Sequence, residues 1–83
     1  MTLNEIEYKI KQDAYPYEIK ERQENGEAVF SVRIRNKEYE IARLSNRVHT
    51  YFSYMCWYRI KLRLKRVIST HGLPETVLKE GGK

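Results

Sequence analysis

The sequence predicts an α+β domain of order αβββα: a short N-terminal helix, a three-stranded antiparallel meander, and a long C-terminal helix on one sheet face. Three observations predict it. Thr2-Leu3-Asn4-Glu5 has the form of a capping box ahead of a helical apolar face. Two tight-turn signals separate three alternating apolar/polar segments. The stretch from Asn46 to His71 then runs without Gly or Pro until Gly72 and Pro74.

Leu3, Ile6 and Ile10 recur at i, i+3 and i+7, one face of a helix over about 3–13, which Pro16 ends. Tyr15, Tyr17 and Ile19 alternate with Glu18, Lys20 and Arg22. Asn25-Gly26 is a strong hairpin signal. Phe30, Val32 and Ile34 alternate with Ser31, Arg33 and Arg35, and Asn36-Lys37 offers a second turn before Tyr39 and Ile41. Two-residue turns at 25–26 and 36–37 place Val32 opposite both Ile19 and Ile41, and Arg33 between Glu18 and Glu40. The apolar pairs share one face, so the other face is solvated and charge-compensated.

Ser45-Asn46 reads as the N-cap of one helix over 46–71, about 39 Å long, with Gly72 and Leu73 as its C-terminal cap. Pro74 opens a short closing helical turn over 74–79. The long helix carries two apolar stripes. Phe52, Cys56, Trp57, Ile60, Leu64, Val67 and Ile68 cover the sheet; Val48, Tyr51, Met55, Tyr58 and Leu62 lie nearly opposite. The second stripe is expected to pack on the N-terminal helix over its first half, leaving part of Tyr58–Leu62 free. Phe30, Val32, Ile34, Ile41, Ile60 and Leu64 are the expected core.

Eighty-three residues with 33% charged and 41% hydrophobic content fit one small folded domain over 1–83, with 81–83 as a flexible tail. No apolar run reaches the roughly 20 residues of a membrane span, and the N-terminus lacks a signal-peptide core. A single cysteine excludes an internal disulfide, so a cytoplasmic protein is expected. The +5 charge is uneven: residues 1–40 hold seven Lys/Arg and nine Asp/Glu, whereas residues 41–74 hold seven Lys/Arg and no acid. Five of those cations, Arg59, Lys61, Arg63, Lys65 and Arg66, fall within eight residues. Like charges at i, i+4 weaken a helix, and the helix dipole compensates only in part. The cluster therefore predicts an anionic partner.

No zinc-ligand spacing, phosphate loop or nucleophile elbow is present, and His49, Cys56 and His71 are too dispersed for a catalytic set. The expected function is non-enzymatic, without metal or cofactor. One reading is a nucleic-acid binder that contacts phosphates through Arg59, Lys61, Arg63, Lys65 and Arg66, with Arg43 and Arg47 as outlying contacts. The other is an inhibitor or adaptor that uses Tyr51, Tyr54, Tyr58 and Leu62 with the arginines against an acidic protein surface. The second apolar stripe also allows a homodimer through the long helix.

The element order resembles that of the double-stranded RNA-binding domain. That family places its basic cluster at the start of its second helix, where this chain has Ser45-Asn46-Arg47-Val48-His49, so no RNA-contacting residue carries over. A three-stranded sheet with a packed helix is also similar to the arm-binding domains of phage integrases. Those read DNA with the outer sheet face, which is charge-compensated here. In size and architecture the chain resembles small phage inhibitors, anti-CRISPR proteins among them, without a shared motif. These likenesses are of topology and kind and assign no family.

Overall fold

The computed structural model describes residues 1–72. The closing turn expected over 74–79 and the tail 81–83 lie outside the described residues, as does Leu73. The elements are α1 (Leu3–Ala14), β1 (Glu18–Glu24), β2 (Glu27–Ile34), β3 (Lys37–Ser45) and α2 (Tyr54–His71). The strands form one antiparallel sheet in the order β1-β2-β3, and both helices pack on the same face of it.

The capping box starts α1. The Thr2 hydroxyl accepts from the Glu5 N–H at 3.2 Å, and the Thr2 N–H donates to Glu5 Oε1 at 3.0 Å. Ile6, Ile10 and Ala14 then turn inward and are fully buried. The first hairpin turns at Asn25 and Gly26, both at positive φ, and pairs Ile19 with Val32 and Glu18 with Arg33, as the alternation predicts.

The second hairpin differs from expectation. Its turn is at Arg35-Asn36, with φ of 52° and 67°, and Lys37 pairs with Ile34 instead of standing in the turn. Val32 therefore faces Tyr39 rather than Ile41, and Arg33 lies between Glu18 and Glu38 rather than Glu18 and Glu40. The slip is two residues, so side-chain facing is preserved. A bulge follows. Ser31 pairs with Glu40 and Phe30 with Ala42, which leaves Ile41 as the extra residue of β3. The apolar residues of β3 explain it, because they change phase there: Tyr39 and Ile41 are odd-numbered, Ala42 and Leu44 even. The bulge turns Leu44 inward with Ile41, and sends Arg43 outward.

The long helix is shorter than expected. It begins at Tyr54, with the Ser53 hydroxyl accepting from the Cys56 N–H at 3.2 Å. Residues 46–53 form a loop because their groups bond elsewhere. The Asn46 N–H donates to the Gly26 carbonyl at 3.2 Å, and its side-chain amide donates to Gln23 Oε1 at 2.6 Å. Ser45 and Thr50 hydroxyls pair at 3.2 Å, and the Phe52 N–H donates to the Met1 carbonyl at 2.6 Å. Val48 and Tyr51 thus leave the helix and are exposed. At 18 residues α2 spans about 27 Å. Its end is also different: Gly72 is extended, not left-handed. Glycine is needed there for space, since a β-carbon would stand 2.5 Å from the Ile68 carbonyl oxygen and 2.7 Å from the Tyr17 hydroxyl oxygen.

The core joins Ile6, Ile10 and Ala14 of α1, Ala28, Phe30, Val32 and Ile34 of β2, Ile41 and Leu44 of β3, and Ile60 and Leu64 of α2. All six residues expected in the core are buried. Phe52, Cys56, Trp57, Val67 and Ile68 pack at its margin, so the predicted sheet-facing stripe holds from Cys56 onward, while Phe52 packs from the loop before α2. Lys9 lies 5.9 Å from the centre of the Trp57 ring and ties α1 to α2.

Leu64→Ala should lower stability by about 2–5 kcal/mol in denaturant unfolding, whereas Leu62→Ala, two residues away on the opposite face, should stay within about 0.5 kcal/mol. Arg35→Asn should raise stability by roughly 0.5–1 kcal/mol, because asparagine tolerates the left-handed backbone that arginine holds in the turn. A thermal melt unchanged or lowered by Arg35→Asn would contradict the turn assignment.

Candidate interaction surface on the second helix

The requirement to bury Ile60 and Leu64 fixes the rotation of α2. At about 100° per residue, the direction opposite these two is taken by Met55, Tyr58 and Leu62. They remain 64%, 55% and 48% exposed, and Tyr54 beside them is 76% exposed. The expectation that the first half of this stripe packs on α1 is therefore not met: α1 meets the flank of α2 at Trp57. Tyr54, Tyr58 and Leu62 share the outward face. Tyr51 lies before the helix N-cap and is not part of the ridge.

The cations stand on both sides of this ridge. Arg59 and Arg66 line one side, and Lys61 and Lys65 the other. Arg63 is turned further toward the sheet edge, where its Nε donates to the Glu40 carbonyl at 3.2 Å. Among the described residues none of the five makes an ion pair.

Arg43 and Arg47 do not join them. The bulge places Arg43 on the outer sheet face, where it pairs with Glu40 at 2.8 Å and Glu24 at 3.0 Å. Arg22 bonds Glu24 at 3.0 Å within β1. The hydrogen bond that Arg43 donates to Glu40, then that to Glu24, raises its pKa further above the ordinary value. An arginine so neutralised is a poor contact for an outside anion. Beneath this network Val29 is fully buried although it stands on the outer face. The register places it between Arg22 and Arg43, whose aliphatic stems cover it. Arg47 stands in the loop before α2, at the end of the sheet marked by the first hairpin turn. The outlying contacts expected at Arg43 and Arg47 are thus separated from the helical cluster.

Other concave features offer less chemistry. A hollow of about 420 Å³ lies between the second hairpin and the end of α2, lined by Arg35, Lys37, Tyr39, Thr70, His71 and Gly72. Tyr39 and His71 fill one side of it, stacked at 4.0 Å. Among the described residues no group of three His, Cys, Asp or Glu side chains could hold a metal ion, and no helix is long and apolar enough to cross a membrane. Cys56 is a free, half-buried thiol at the margin of the core.

No family model, curated protein or solved structure matches the chain. The reading of this surface therefore rests on its own geometry and charge.

The outer-face network carries a pH signature. Hydrogen bonds from Arg22 and then Arg43 hold the Glu24 carboxyl below its ordinary range. A lowered carboxylate pKa contributes stability that is present above the unfolded-state value and is lost as pH falls through the folded-state value. Glu24→Gln should therefore destabilise the protein at neutral pH and match the wild type once the solution is acid enough to protonate both. Thermal melts of the two proteins across the acid limb test this; parallel curves would contradict it.

Proposed function

We propose that this chain is a non-enzymatic binding module that docks through the outward face of α2 onto an acidic protein surface. One observation carries the reading: apolar and aromatic side chains occupy the middle of the face, and cations its margins. Protein interfaces have that anatomy, with an apolar centre and a polar rim. Tyrosine and arginine are the residues most often found to dominate such interfaces. Exposed large apolar side chains concentrate here. Of the eight among the described residues, Tyr54, Met55, Tyr58 and Leu62 belong to α2 and Val48 and Tyr51 to the loop before it, while Tyr8 and Tyr15 lie elsewhere.

The second reading, binding to nucleic-acid phosphates, is favoured by the absence of any acid from residues 41–72. It gives no role to the ridge. A phosphate backbone offers Met55 and Leu62 no apolar surface to bury against.

Equilibrium binding to random-sequence duplex DNA and to RNA across a salt series separates the two. A protein-docking module should bind both weakly at low salt, lose them at physiological salt, and be indifferent to Leu62→Ala. A photo-cross-linker at residue 58 should capture a protein, and one at residue 20 on the outer sheet face should not. Retention of duplex DNA at physiological salt, with a slope of log K on log salt that falls by about 0.9 for Lys65→Gln, would overturn the reading in favour of nucleic acid.

A further inference from the structure

The spacing along the outward face specifies the shape of the partner. Met55, Tyr58 and Leu62 are separated by three and four residues, the a-d-a spacing of a coiled-coil seam. In that frame Arg59 and Arg66 occupy the e positions, Lys61 the g position of the heptad that begins at Met55, and Tyr54 the preceding g. Lys65 takes the next d. The frame is consistent with the packing: Ile60 and Leu64, at f and c, are the residues that face the sheet. Arg63 falls at b, away from the seam, and it is the cation that bonds within the chain, to the Glu40 carbonyl. The four cations at or beside the seam make no ion pair among the described residues, and the one turned away from it has a partner.

We propose that α2 receives a single amphipathic helix with apolar residues along its seam and acidic residues flanking it. This rests on the protein-docking reading above and goes further by naming the shape and charge of what docks. The charges at e and g positions set partner choice in paired helices. Here every charged flanking position is cationic, so the complementary helix carries Glu or Asp opposite Arg59, Lys61 and Arg66. The apolar seam runs from Met55 to Leu62, about 10 Å along the axis. Lys65 ends it, and an acidic residue opposite Lys65 would fix the register. A second copy of this chain is the wrong occupant. In a parallel pair Lys61 would face Arg66 of the other copy, and in an antiparallel pair the Arg59 and Arg66 rows would face each other. Either arrangement sets cation against cation at the seam.

The test uses designed peptides of three heptads, about 21 residues. One carries Leu at a and d and Glu at e and g. A second has the same composition in scrambled order, and a third has Lys in place of Glu. The patterned acidic peptide should bind the intact protein and gain helical circular dichroism on binding; the scrambled and basic peptides should not. Leu62→Ala should weaken it, as should the double substitution Arg59→Glu with Arg66→Glu, by about tenfold or more. The same double variant should gain the basic peptide. That charge-swap rescue also shows that the variant is folded, and Arg63→Gln should leave binding unchanged. Equal binding of patterned and scrambled acidic peptides would overturn the helical partner and leave an acidic protein surface in place. Absence of binding by either peptide would also overturn it. If duplex DNA then bound at physiological salt, the protein-docking reading would fall with it.

Discussion

Burying the apolar residues of β3 from Tyr39 to Leu44 requires its side-chain alternation to change phase between Ile41 and Ala42, and the rest of the structure depends on that change. Without the bulge, Leu44 would point to solvent and Arg43 would lie under the helices. A buried, unpaired guanidinium would cost several kcal/mol. With the bulge, Ile41 and Leu44 stand on the same face and present α2 with a continuous apolar floor. Arg43 is delivered to the outer face, where Glu24 and Glu40 neutralise it. Glu24, Glu27 and Glu40 are thereby engaged with Arg22 and Arg43. The cations of α2 make no ion pair among the described residues, and Arg59, Lys61, Lys65 and Arg66 border its outward face.

Much of this was legible in the sequence because it rests on local rules. The capping box, the Asn25-Gly26 turn and the register of the first hairpin are each set within a few residues, and all three stand as expected. The sheet-facing stripe of α2 was legible for a similar reason: its spacing persists over several turns. The misreadings have a common cause. Asn36 suits a left-handed position in either of two adjacent turns, and only tertiary packing selects Arg35-Asn36. The signal for the bulge was present in the phase change of β3 but weighs little unless its apolar residues from Tyr39 to Leu44 must all be buried. The start of α2 was misplaced because Ser45 and Ser53 are equally good caps by type. Asn46 is drawn to Gln23 and Gly26, residues about twenty positions away, and no local pattern reports that.

The candidate surface was partly legible. The cation cluster and the second apolar stripe both stood out from the sequence. Their relation did not, because it depends on where the helix begins and which flank meets α1. Once Val48 and Tyr51 leave the helix, the stripe contracts to Met55, Tyr58 and Leu62, and the cations become its margins. Arg63 and Arg43 show how little residue type alone decides. Each is an arginine in an acid-free stretch, yet one caps a carbonyl at the sheet edge and the other closes an ion network on the far face.

The loop before α2 is fastened at both ends. Asn46 is held to the first hairpin, by its backbone at Gly26 and by its side chain at Gln23 of β1, and Phe52 is held to Met1. The helix is therefore launched from a fixed point at a fixed angle, and Lys9 against Trp57 limits its rolling about its own axis. Backbone order at the ridge is established on folding rather than on contact. Any molecule that settles along Met55, Tyr58 and Leu62 meets a template already set in place. The loss of conformational entropy on association then falls mainly on the incoming chain and on a few long side chains at the margin.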